Sequence, residues 1–94
     1  MGQGSQHPIM TPALCRAARG LLDWTQEELA EHSAVSRSTI RDYEGTRHGV
    51  HRATAAQIVR AFNEHGVIFL MLPGSGPAVC QAKPDAEKEA QRTL

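Results

Sequence analysis

Residues 25–44 read TQEELAEHSAVSRSTIRDYE, and two helix starts inside this stretch decide the fold. Thr25, Gln26, Glu27 and Glu28 form a capping-box pattern: a threonine hydroxyl can accept from the third helical amide while Glu28 reaches back to the cap. Trp24 precedes the cap and Leu29 is the fourth helical residue, the spacing of a hydrophobic staple. This helix is expected to end near Ser33. Ser36 is a good N-cap for the next one, with Val35 before it and Ile40 at the fourth helical position. Ile40 and Tyr43 then share a buried side, Arg37, Ser38, Arg41 and Asp42 occupy the other, and Gly45 is a suitable stop. Glu44, at the helix end beside Tyr43, is read as structural.

Outward from this pair, Leu14, Ala17, Ala18, Leu21 and Leu22 recur at helical spacing and predict an earlier helix with Pro12 in its opening turn. Downstream, residues 45–53 read as a loop. Thr54 with Gln57 suggests the start of a fourth helix carrying an apolar stripe of Ala55, Ile58, Val59 and Phe62, closed by His65 and Gly66. After Gly66 the period changes. Val67 to Leu72 is strand-like, Pro73-Gly74-Ser75-Gly76-Pro77 is a turn signal, and Ala78-Val79-Cys80 suits a returning strand. The chain therefore divides into a flexible leader at 1–10, a helical domain at 11–66, a β-strand or hairpin at 67–82 and a charged flexible tail at 83–94. The fold class expected is mainly α: a compact bundle of four to five helices with a small C-terminal β-strand or hairpin. Trp24, Leu29, Ile40, Tyr43 and Phe62 are expected in its core.

At 94 residues, 40% hydrophobic and 21% charged, the chain has room for one modest core. It holds no apolar run near the roughly 20 residues that span a bilayer. The first residues show neither a basic nor an apolar leader region, so the expected compartment is the cytoplasm, with no membrane partner. Lys+Arg and Asp+Glu are 10 each, but they are unevenly placed. Residues 23–32 carry Asp23, Glu27, Glu28 and Glu31 and no basic side chain. Residues 36–60 carry Arg37, Arg41, Arg47, Arg52 and Arg60 against Asp42 and Glu44. Cys15 and Cys80 match no zinc or redox spacing and read as ordinary buried or half-buried thiols. His48 and His51 have the spacing of a metal pair, yet no Cys or carboxylate stands at ligand spacing from them. No metal and no cofactor are expected. They suit extra positive charge beside a phosphate at mildly acid pH. No nucleophile–base arrangement, glycine-rich phosphate loop or acid pair points to an enzyme.

The connection Ser33-Ala34-Val35 is too short for an ordinary antiparallel pair. It forces a steep crossing and makes the second helix project, which is how helix-turn-helix units offer a helix to the DNA major groove. From Arg37 to Glu44 that helix is about 12 Å long at about 1.5 Å per residue, against a groove about 12 Å wide. Ser36, Arg37 and Ser38 lie at the end that enters the groove. Arg37 suits a bidentate contact to guanine. Asp42 could accept from a cytosine amine, although its simpler use is to orient Arg37 or Arg41. Thr39 and Arg41 are candidates for phosphate contact on the outer face. Arg52 is a weaker one, and Arg60 reads as solvated.

The stretch 25–44 resembles the helix-turn-helix of the Cro and phage-repressor superfamily, also called the XRE family. The likeness extends over roughly 11–70 and is carried by Gln26, Leu29-Ala30, Val35-Ser36, Ile40 and Tyr43-Glu44-Gly45. Relatives often have Gly where this chain has Ala34, and many have Pro and basic residues where it has Gly49-Val50. The resemblance implies a sequence-specific regulator of double-stranded DNA, a repressor by type. It implies a phosphate held by Gln26 and a backbone grip by Thr46, Arg47 and His48. One short helix reads few base pairs, so a homodimer is expected, joined by the hairpin or by strand addition at 67–82. That segment could equally take a protein partner. The alternative readings are an antitoxin that binds a toxin and regulates its own operon, and a protein-interaction adaptor that does not bind DNA.

Overall fold

A computed structural model describes residues 10–45 and 50–82. Within them the order is α1 (Pro12–Leu22), α2 (Gln26–Ser33), α3 (Arg37–Gly45), α4 (Arg52–Glu64), β1 (Val67–Leu72) and β2 (Gly76–Gln81). The expected mainly helical architecture with a C-terminal hairpin is what forms, with four helices among the described residues.

Each start has a local cause. The Thr11 hydroxyl accepts from the Leu14 amide at 3.1 Å, and Pro12 sits where a helix leaves its amides unpaired anyway. At α2 both arms of the capping box close: Glu28 N–H donates to Thr25 Oγ1 at 3.0 Å, and Thr25 N–H donates to Glu28 Oε1 at 2.8 Å. At α3 the Thr39 amide donates to Ser36 Oγ at 3.2 Å. α2 stops because Ala34 turns left-handed (φ 62°, ψ 28°), its amide still bonded to the Ala30 carbonyl at 2.9 Å.

Three local expectations are corrected. The buried side of α1 is centred on Cys15 and Ala18, both fully buried, with Leu14 and Leu22 half-buried against the core. Ala17 is exposed and Leu21 is 40% exposed. The helix is turned toward Cys15 because Arg19, one turn further on, pairs with Glu44 on the same side. α4 starts at Arg52, two residues before Thr54. His51 already has an extended backbone and accepts from the Ala55 amide at 2.9 Å, without lending a side-chain cap. Gln57 instead reaches the Ser33 carbonyl at 3.4 Å, tying α4 to the turn. Met10, read as the last residue of the leader, is 2% exposed and joins the core, as its apolar side chain allows.

α1 packs on α3 and β2, α2 on α3 and α4, and α4 on β1. Between them Leu29, Ile40, Ala55, Ile58, Ala61, Phe62 and Val67 are fully buried, and Trp24 packs against this cluster from the edge. Trp24 stacks on His32 (ring centroids 4.3 Å apart) and touches Phe62 and His65. β1 and β2 pair antiparallel from Val67↔Gln81 to Leu72↔Gly76. The returning strand is longer than expected and includes Pro77, which a sheet edge tolerates. Gly66 is required at the hairpin's base: its φ is +87°, and a Cβ there would lie 3.1 Å from the Ala82 carbonyl oxygen. No helix among the described residues is long and apolar enough to cross a membrane.

Candidate nucleic-acid interface

The turn between α2 and α3 keeps them as two separate helices. Buried Ser33 accepts the Val35 amide on its hydroxyl at 3.3 Å, and Val35 is itself buried. Beyond the turn, Ile40, Tyr43 and Glu44 fall at helical spacing and face inward. Burying Ile40 and Tyr43 turns the other side of α3 to solvent. Arg37, Ser38, Arg41 and Asp42 are all exposed there, with the Arg37 and Arg41 side chains 53% and 60% exposed. Those arginines are therefore not spent on the body of the protein. Arg37 approaches Glu27 of α2 at 3.7 Å and Arg41 approaches Asp42 at 4.0 Å. At such exposure each pair is worth about 1 kcal/mol or less, weak enough to be exchanged for a ligand.

At the leading end of α3, Ser36 donates to Thr39 Oγ1 at 2.8 Å and stands 3.3 Å from the Ser38 hydroxyl. The three hydroxyls cluster over the first turn. Thr46, Arg47 and His48 lie outside the described residues. Arg60 pairs with Glu64 at 3.0 Å on the outer face of α4.

Gln26 opens α2 and points at the end of α3: its side-chain amide donates to Glu44 Oε1 at 3.0 Å. Glu44 is the hub of a network that ties three helices together. Arg19 Nη2 donates to Oε1 at 2.8 Å and Arg19 Nε to Oε2 at 2.9 Å, a bidentate pair. The Cys15 thiol donates to Oε2 at 3.2 Å, and Arg16 donates to the Glu44 main-chain carbonyl. Burial favours the neutral acid. The hydrogen bonds from Arg19, Gln26 and Cys15, with the charge of Arg19, outweigh it and hold the carboxyl below its ordinary 4.5. The same bond raises Arg19. Burial, then the Glu44 charge, pushes the Cys15 thiol far up, so it stays an inert thiol. Cys80 is exposed on β2, against the expectation of a buried or half-buried thiol.

Arg16 and Arg19 went unnoticed in the sequence, and Glu27 was read only as part of the acidic segment and the helix start, not as the neighbour of Arg37. For Arg19 and Glu44 a signal was available. Cys15, Ala18, Arg19 and Leu22 repeat at i, i+3, i+4 and i+7, and Ile40, Tyr43 and Glu44 at i, i+3 and i+4. Each stripe thus carries one charge, and the two are of opposite sign. Among the described residues no cluster of three metal-ligating side chains occurs.

Residues 13–67 match the family of helix-turn-helix domains. The match covers more than half of the 94 residues, and the chain belongs to that family. No curated protein matches the chain.

Proposed function

From this membership and from the exposed face of α3 we infer a sequence-specific regulator that binds double-stranded DNA, of the Cro and phage-repressor (XRE) type, acting as a repressor by occupying its site. The observation that carries the reading is the division of α3. One side is locked into the core by Ile40, Tyr43 and Glu44, and the other offers Arg37, Ser38, Arg41 and Asp42 to solvent. In the proposed docking, the first turn of α3 enters the major groove. Arg37 reads guanine, a contact worth about 1–3 kcal/mol of discrimination. Asp42 steadies Arg41.

Ser36, Thr39 and Arg41 meet the backbone on one side, and Thr46, Arg47 and His48 on the other. Gln26 has two amide hydrogens. With one held by Glu44, the other is aimed rather than free to rotate, and it donates to a phosphate at the N-terminus of α2, where the helix dipole favours an anion. A second copy reads the other half of a two-fold site.

The test is selection of binders from random duplexes, followed by titration of the recovered site at several salt concentrations. Affinity should fall linearly on a log–log plot with salt. Arg37→Ala should relax base preference, while Gln26→Ala should weaken all duplexes alike. A chain that binds no duplex even at low salt would favour the adaptor reading.

A further inference from the structure

The hairpin has two faces of different fate. Val67 and Phe69 are buried against the helices. Side chains alternate along a strand, so Ile68, Leu70 and Leu72 point the other way. The register places Cys80, Ala78 and Gly76 opposite them on that same outer face. All six positions lack polar side chains. Ile68 is 45% and Leu72 42% exposed, Cys80 is exposed, and Leu70 and Ala78 are half-buried. A small protein seldom leaves such a face uncovered.

We propose that this outer face docks a second copy of the same chain, large side chains of one copy seated over small ones of the other. The occupant follows from shape. β1 presents a ridge of Ile68, Leu70 and Leu72, and β2 presents a trough of Cys80, Ala78 and Gly76. A two-fold axis running along the strands lays each β1 over the partner copy's β2, ridge into trough. An axis across the strands sets ridge on ridge and leaves the troughs empty. Elsewhere among the described residues the exposed large hydrophobics are Leu21 on α1 and Met71 at the tip of the same hairpin, so the surface matching this face is the face itself. An isologous contact needs such self-complementarity. The choice of a second copy also rests on the DNA reading above, which calls for two reading helices. Six residues per copy fall short of the roughly 20–30 residues a side of a standard interface, so the dimer is of the weak, reversible class.

The geometry sets a distance. With sheets about 10 Å apart and strands about 4.8 Å apart, the two Cys80 Cα atoms stand roughly 11 Å from each other. That is beyond the roughly 7 Å reach of a disulfide but within reach of a short bismaleimide, and the buried Cys15 does not compete.

Sedimentation equilibrium of the full chain, without DNA, tests the proposal. The wild type should form a dimer that the bismaleimide traps through Cys80. Leu70→Lys should be monomeric, with a thermal midpoint matching the dissociated wild type. Ala78→Leu, which fills the trough, should raise the dimer dissociation constant roughly tenfold. The double variant Leu70→Ala/Ala78→Leu exchanges ridge and trough and should recover the dimer. A wild type that stays monomeric to millimolar concentration, a Leu70→Lys that still dimerises, or a double variant no better than Ala78→Leu overturns it. A chain that dimerises as described but ignores every selected duplex would sink the DNA reading and leave this contact standing.

Discussion

Ala34 holds a backbone conformation that a Cβ resists. Left-handed geometry costs a non-glycine residue about 1–2 kcal/mol, and here φ is 62°. The side chain is exposed, so nothing is lost by removing it. Ala34→Gly should stabilise the fold by about 0.5–1 kcal/mol after the extra entropy of glycine in the unfolded chain. The readout is a higher urea midpoint at unchanged slope, and a lower midpoint would refute this account of the turn. Glu44 is the opposite case, a residue the fold cannot spare. Glu44→Ala removes the acceptor for Arg19, Gln26 and Cys15 at once and should cost about 3 kcal/mol, the lower part of the range for breaking a buried pair, because the Arg19 side chain keeps 20% of its surface in water. The sign of its pH dependence follows from its depressed carboxyl. The folded state binds that proton less readily than the unfolded chain, so the stabilisation is full above the ordinary 4.5 and is lost as pH falls through and below it. Urea midpoints measured from neutral pH into the acid range should therefore drop in the wild type. They should drop less steeply in Glu44→Gln, which already lacks the charge.

At the scale of elements, the boundaries that could be read were those with a side-chain cap. Thr25, Glu28 and Ser36 lie beside the amides they serve, so a few consecutive residues contain the whole cause of the boundary. α4 was misplaced because its first turn has no such cap. Its start is set by the packing of Ala55 and Ile58 into the core, which is not local. The same vacancy makes a prediction. His51 occupies the cap position without a side-chain bond, so His51→Ser should add about 0.5–1 kcal/mol, seen as a rise in thermal midpoint. Thr25→Ala, which removes a cap that is made, should lose about 1 kcal/mol. If the two changes moved stability the same way, caps would not be what sets these helix starts. The rotation of α1 was illegible for a related reason. Five apolar residues spread over a broad arc left its orientation open, and the choice was made by the pairing of Arg19 with Glu44, 25 residues away in sequence.

For the whole molecule, zero net charge conceals a division of labour. The acidic residues of α2 include Glu27, which approaches Arg37, while the arginines of α3 face outward. The outer side of α3 was visible in the sequence because amphipathic spacing alone decides it. The network behind it was not, because no pattern within one helix reveals which partner a buried charge will meet. The hairpin's ridge and trough were hidden too, since they need the cross-strand register as well as the strands. If that face joins two copies and each copy's α3 reads half of a two-fold site, affinity for the whole site is a property of the pair. Joining two weak contacts raises the apparent affinity by about 10²-fold or more. A duplex with both half-sites about one helical turn apart should then bind wild type at least that much more tightly than a duplex with one half destroyed. In Leu70→Lys the two duplexes should bind alike, at the strength the wild type shows for the single half. Fluorescence anisotropy with both duplexes and both proteins closes the comparison. An undiminished preference for the full site in the monomeric variant would mean that the two reading helices are coupled through the DNA or another surface, and not through the hairpin.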